Sequence, residues 1–214
     1  MIQLYALDLT PFQHGRWRDL LPTLPEDRRQ RVLACRLDAD RARNAGAGWL
    51  LQHALSQAGV PAAQQQFTNN QWGKPLLAGR EDLHFSLSHG GAWAVCAVAN
   101  APVGVDVEFP RCTMAVARRH FHPAELDSLD RLDLYAQKDA LNRLWTAKEA
   151  FVKALGVGLT IPLDSFQIEL TPDRAILRQD HTPLPYQLHE YHPDLHRICL
   201  CTTDVRPDLQ TVTL

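Results

Sequence analysis

Apolar and polar residues alternate from Ile2 to Leu9 and the pattern stops before Thr10-Pro11, which predicts an opening strand. Pro25 suits a first helical position, and Glu26 and Asp27 fit the positive end of the helix that follows, along which Arg28, Arg29, Arg31 and Arg36 crowd. A second helix is predicted from about Asp38 to Ala58, closed by Gly59 and Pro61. Asn69 to Pro75 has turn composition, so Lys74 is expected to project from a loop. Phe85–Leu87 and Trp93–Ala99 then read as strands around Ser88-His89-Gly90-Gly91, where paired glycines permit positive φ and close approach of a ligand to the backbone.

The clearest alternation is Val103-Gly104-Val105-Asp106-Val107-Glu108. Successive strand side chains point to opposite faces, so the valines are expected to line a core while Asp106 and Glu108 emerge on the other face of a half-buried strand. A short helix is predicted within Arg111–Phe121, another from Pro123, and a long one over Leu134–Leu155. On the last, Leu144, Ala147, Phe151 and Leu155 form an apolar stripe, while Trp145, Glu149 and Lys153 share a different face. Lys148 lies at the stripe's edge and is expected to snorkel from it; Gly156 and Gly158 suit a left-handed cap. Phe166, Ile168 and Leu170, then Tyr186, Leu188 and Glu190, then Arg197 to Cys201 read as strands of an antiparallel sheet.

Composition narrows the classes. A chain of 214 residues can build one substantial core or two small packed ones, and 45% hydrophobic against 21% charged residues describes a globular protein. Net charge is −2 with a pI near 6.5, so no global basic field points to nucleic acid. The five cysteines are scattered without a CxxC pair and read as reduced, mostly buried thiols. With no transmembrane run and no signal-peptide profile at the N-terminus, a cytoplasmic protein without a membrane partner is expected. His189-Glu190-Tyr191-His192-Pro193-Asp194-Leu195-His196 resembles a metal tract, but Pro193 denies its histidines a common helix face.

Two carboxylates on one strand face repel, and such a pair persists because a cation sits between them or because it is solvated. Glu149 and Lys153 form either an i,i+4 pair worth ~0.2–0.5 kcal/mol or a second half of the same site, with Glu149 joining Asp106 and Glu108 at a metal and Lys153 facing an anion. Three carboxylates suit a hard octahedral cation such as Mg²⁺, which usually takes substrate phosphates as further ligands. Lys153, Lys74, His89 and Arg43 supply local bases for those phosphates. A metal with lysines around a diphosphate describes phosphoryl-group transfer or hydrolysis.

The stretches GVDVE and WTAKEAFVKALGVGL, with Gly73-Lys74-Pro75, Phe85-Ser86-Leu87-Ser88-His89 and Pro162-Leu163-Asp164-Ser165-Phe166, resemble the 4′-phosphopantetheinyl transferases of the larger, surfactin-synthetase-activating type. The resemblance implies an α+β fold of two similar halves about a pseudo-twofold axis, with antiparallel sheets and the active site in the cleft between them. Residues 1–101 would form the half on the nucleotide side of coenzyme A, and 102–214 the half carrying the metal site and signature helix. It implies transfer of the 4′-phosphopantetheine group of coenzyme A to a serine of an acyl, aryl or peptidyl carrier protein, with release of adenosine 3′,5′-bisphosphate. Mg²⁺ is the implied cofactor, Mn²⁺ a substitute, and the enzyme a monomer.

By the same resemblance Asp106, Glu108 and Glu149 match the metal-site acids, Lys153 a lysine near the diphosphate, and Ser88, His89 and Lys74 (with Pro75 beside it) residues that hold the nucleotide and its phosphates; Arg43 is placed with them as a local base on the early helix, and Glu149 is also a candidate base for the carrier serine. The chain departs from the family near its first helix, where Pro25 to Arg31 lacks two nucleotide-facing lysines and Arg28 and Arg31 are candidate substitutes only by a one-residue shift. Carrier proteins of this kind are acidic, so Arg111, Arg118, Arg119 and His120 followed by Phe121 offer a docking rim with an aromatic anchor; a solvated helix with Phe121 in the core is the alternative. The rival functions are a Mg²⁺-dependent phosphohydrolase and a non-catalytic coenzyme A-binding module.

Overall fold

The computed structural model describes residues 1–179 and 182–213. In chain order it contains β1 (Ile2–Asp8), α1 (Glu26–Ala34), α2 (Asp38–Gln57), β2 (Phe67–Asn69), β3 (Pro75–Leu77), β4 (His84–Gly90), β5 (Trp93–Ala99) and β6 (Val103–Glu108). Next come α3 (Met114–His120), α4 (Pro123–Leu129), α5 (Leu134–Leu155), β7 (Gln167–Leu170), β8 (Ala175–Gln179), β9 (Thr182–Pro183), β10 (Gln187–Tyr191), β11 (Arg197–Thr202) and β12 (Leu209–Val212). The fold is α+β. No helix among the described residues is long and apolar enough to cross a membrane.

Alternation decides how the layers stack. In β1 and β5, Tyr5, Leu7, Ala94, Cys96 and Val98 face α2, whereas Leu4, Ala6, Val95, Ala97 and Ala99 face the opposite way. That second face meets Val103, Val105 and Val107 of β6 with Ile198 and Leu200 of β11. Behind β6 and β11 lies α5, whose Ala147, Ala150, Phe151 and Ala154 share a core with Cys199 and Cys201. The order through the molecule is therefore helix, sheet, sheet, helix, with the two sheets packed on each other through an apolar layer. Each fully buried valine or leucine in these layers contributes about 1.5–3 kcal/mol relative to exposure.

The first sheet runs β12-β1-β5-β4 and the second β10-β11-β6. β12 joins β1 in parallel, with Leu209 opposite Leu4, so residues near the C-terminus complete the sheet begun at the N-terminus. β7, β8 and β9 form a separate sheet, so the later strands do not make the one antiparallel sheet that their common alternation led us to expect.

β6 is not half-buried. Gly104 and Asp106 are buried along with the valines, because α5 covers the other face of the strand. A Cβ on Gly104 would lie 1.9 Å from the Ala150 carbonyl oxygen and 2.3 Å from the Ala154 nitrogen, so only glycine lets helix and strand approach this closely. The helix ends as its sequence implies, at Gly156 with φ 69°.

Lys148 does not snorkel. It is 0% exposed and its ammonium pairs with Glu125 Oε1 at 2.8 Å, donating also to the carbonyls of Leu163 at 2.7 Å and Phe166 at 3.0 Å. Glu125 in turn accepts from the backbone N–H groups of Ile168 and His122. This pair bolts α5 to α4 and to the chain entering β7. Lys148→Met is expected to cost about 3–5 kcal/mol, because it strands a buried carboxylate. Adding Glu125→Leu should recover much of that loss; urea denaturation of both variants measures it, and a mild single variant would show that Glu125 escapes to solvent.

Candidate active site

The close packing at Gly104 brings the α5 side chains against the acids of β6. Asp106 is 3% exposed. Its Oδ1 accepts from Ser88 Oγ at 2.7 Å and from Lys153 Nζ at 2.5 Å, and Lys153 also donates to Ser88 Oγ at 2.9 Å. Three elements (β4, β6 and α5) thus converge on one carboxylate oxygen. The other oxygen, Oδ2, is buried without a hydrogen-bond partner among the described residues. A buried carboxylate oxygen left unpaired is costly, and it marks the place where a further cation or donor is wanted.

Glu108 and Glu149 flank this centre. Burial, reinforced by the negative charge of Asp106, pushes Glu108 up to about 7, while Trp145, Lys153 and Arg111 pull it down. Burial and then Asp106 likewise raise Glu149, with Lys153 offsetting part of the effect. Among the described residues no three His, Cys, Asp or Glu side chains are gathered closely enough to hold a metal ion by themselves. Asp106 nevertheless repels both glutamates and keeps one oxygen unpaired, and this all-oxygen set has the chemistry that a hard divalent cation fits.

The basic residues divide into two groups. His89 follows Ser88 and stands exposed at the rim, where crowding in the cleft, then Arg43 and Lys153, hold its ring below the usual imidazole range. Arg43 is itself steadied by Asp40. Arg43 and Lys153 therefore gather positive charge beside an imidazole that they keep neutral, charge that an anion would relieve.

Lys74 is placed differently. Its ammonium donates to the carbonyls of Lys153 at 2.6 Å and Val103 at 3.1 Å, and burial lowers its pKa to about 8. It caps α5 from the β2–β3 turn rather than projecting freely from a loop, and Asn70 Nδ2 assists by donating to Gly156 O at 2.7 Å. Pro75, exposed at the start of β3, lines a cavity of about 330 Å³ that Glu149 and Lys153 border, its walls made apolar by Trp72, Phe85 and Val152. A larger groove of about 830 Å³ lies over the Arg143–Glu190 ion pair and is lined by none of the expected site residues.

Arg28 is packed toward Gly48 of α2, and no hydrogen bond among the described residues links Arg28 or Arg31 to this centre. Phe121 is 3% exposed and stacks toward Trp145 in the core, so it is no docking anchor; Arg111, Arg118, Arg119 and His120 remain exposed around it. The histidine tract gathers no metal cluster among the described residues. Two contributors escaped the sequence reading. Ser86 Oγ accepts the Val105 N–H at 3.0 Å, and Asn70 caps α5; serine at alternate positions of β4 was the available signal for the first, and the turn composition around Asn70 for the second.

Residues 102–202, which hold all three acids and Lys153, match the model of the 4′-phosphopantetheinyl transferase superfamily. A 4′-phosphopantetheinyl transferase of Bacillus subtilis is 33% identical over 178 residues, covering 81% of this chain and 80% of the relative. The transferase psf-1 of Bacillus pumilus is 30% identical over 209 residues, covering 94% and 90%, and HetI of a Nostoc species is 34% identical over 185 residues, covering 83% and 77%. The chain belongs to the 4′-phosphopantetheinyl transferase superfamily. Membership of a transferase family leaves the phosphohydrolase and the non-catalytic binding module without support.

A pH dependence follows for this transferase-family site. Without metal, folded Glu108 keeps a proton up to about 7 that an unfolded glutamate, with its ordinary value of 4.5, has lost. The folded state binds more protons in that window, so stability falls as pH rises through it and levels off above. Glu108→Gln should shrink the decline. Thermal denaturation in EDTA across the window checks this, and an undiminished decline in the variant would assign the titration to Glu149.

Proposed function

We propose that this chain transfers the 4′-phosphopantetheine group of coenzyme A to a serine of an acyl, aryl or peptidyl carrier protein, acting as a cytoplasmic monomer. The observation that carries this reading is the junction of Lys153, Ser88 and Asp106, with the orphaned Asp106 Oδ2 on one side and the cationic rim on the other. Residues 1–101 then serve the nucleotide side of the cleft and 102–214 the acids and the signature helix.

Asp106 and Glu108, with Glu149 beside them, would hold Mg²⁺ or Mn²⁺, and the bound ion supplies charge neutralisation at the diphosphate. His89 and Arg43 face the nucleotide phosphates. Lys153 donates to the diphosphate and stabilises negative charge gathering on the departing adenosine 3′,5′-bisphosphate. The carrier serine loses its proton to Glu149, directly or through water; burial raises the basicity of that carboxylate. The serine oxygen bonds to the phosphorus bearing pantetheine as that phosphorus releases the bridging oxygen to the nucleotide. The apolar cavity beside Glu149 and Lys153 gives the pantetheine arm a path away from the charges. The exposed Arg111, Arg118 and Arg119 attract an acidic carrier, mainly by raising its association rate.

Intact-mass spectrometry of an apo carrier protein incubated with coenzyme A and Mg²⁺ tests the reaction: a gain of one phosphopantetheine is expected, and full loading in EDTA would refute the metal requirement. Lys153→Ala should slow transfer ~10²–10³-fold, as for other preorganised electrostatic groups. It also leaves Asp106 buried without its ammonium, so the melting temperature should fall in EDTA and recover with Mg²⁺ while the rate does not. An unchanged rate would confine Lys153 to a structural role.

A further inference from the structure

His196 belongs to the tract whose spacing resembles a metal site, yet it is 6% exposed and engaged otherwise. Its Nδ1 lies 2.6 Å from Asp194 Oδ1, and its Nε2 accepts the backbone N–H of Ala92 at 3.3 Å. An Nε2 that accepts carries no hydrogen, so the ring is the neutral tautomer protonated on Nδ1 and oriented by Asp194. Asp194 is held in turn by the Trp93 indole N–H, which donates to its Oδ2 at 2.9 Å.

The turn that His196 grips is the one that follows His89. Gly91 has φ +55°, and a Cβ there would lie 2.1 Å from His196 Nε2, so the imidazole fills the space that a side chain would need. A Cβ on Gly90 would lie 2.4 Å from the Val107 carbonyl oxygen, so the same turn rests on the end of β6. The ring of Phe109, directly after Glu108, packs against the imidazole at 5.2 Å between centroids. One buried side chain therefore touches both the turn after His89 and the residue after Glu108.

We infer that His196 is a positioning residue, a latch that fixes the His89 side of the cleft against the strand end bearing Glu108. What the cleft binds rests on the reading above; the latch itself does not. Glu108 stays registered opposite Arg197 in the β6–β11 ladder, whereas the turn after His89, at Gly91 and Ala92, lies outside the β4–β5 ladder that leads into it. Because His89 faces the nucleotide phosphates and not the reacting phosphorus, loosening the turn removes binding shared by ground and transition states.

The test compares His196→Leu, which removes the acceptor, with His196→Gln, whose amide oxygen can restore it. In the leucine variant hydrogen exchange at the Ala92 amide should accelerate, and the KM for coenzyme A should rise, each about ten-fold, the loss expected for one buried hydrogen bond. The kcat at saturating coenzyme A should stay within about two-fold of wild type, and the glutamine variant should recover both exchange protection and KM. Unchanged Ala92 exchange in the leucine variant overturns the latch, as does a lowered kcat with KM untouched, or a lower melting temperature with neither exchange nor KM affected. If the wild type neither binds coenzyme A nor loads a carrier, the functional reading fails, while Ala92 exchange still decides the latch.

Discussion

A carboxylate as buried as Asp106 is tolerated only if cations and donors surround it, and that requirement organises the middle of the molecule. Ser88 must come from the first sheet, Lys153 from α5, and the strand must sit close enough to the helix for both to reach one oxygen. Gly104 sets that approach, and the Lys148–Glu125 pair fixes the opposite side of the same helix. Neighbouring residues of α5 thus face opposite ways for opposite reasons: Lys148 is satisfied within the core, whereas Glu149 and Lys153 sit among charges that the protein alone does not fully balance.

Among the described residues β6 is paired with a strand on one edge only, that of β11. Along its other edge, side chains stand in for a strand: Lys74 donates to the Val103 carbonyl and Ser86 accepts the Val105 N–H. These contacts satisfy the backbone without a continuous ladder. The two sides of the site are tied at two separated places, by Asn70 and Lys74 at the end of α5 and by His196 at the turn beyond His89.

What could be read from the sequence was what depends on near neighbours. β1 and α5 lie where their periodicity put them, α2 ends where Gly59 and Pro61 close it, and Gly156 caps as its position after the apolar stripe implies. Asp106, Glu108, Glu149 and Lys153 were visible because two short stretches carry them. Features set by distant partners were not. Lys148 looked like an edge lysine because Glu125 sits on another helix, and Asp106 looked solvent-facing because nothing in alternation reveals that α5 will cover it. Lys74, in a polar turn, gives no sign of the carbonyls it reaches, and Phe121 follows a basic run yet packs inward. The similar alternation of β7 and β10 hides their separate sheets, since period reports burial and not pairing.

The parallel pairing of β12 with β1 has a consequence for how the chain reaches this state on the ribosome. β1 can pair with β5 and pack on α2 early, but its other edge stays open until the residue opposite Leu4, Leu209, has been synthesised. Until then the nascent protein presents a row of free amides and carbonyls, the kind of edge that templates pairing between neighbouring chains. A contact of such sequence separation also closes slowly, because the loop between its ends must be ordered first. Crowded translation, with many copies emerging together, is thus the condition under which this fold is most exposed to misassembly, even though the four residues of β12 cover that edge once they pair.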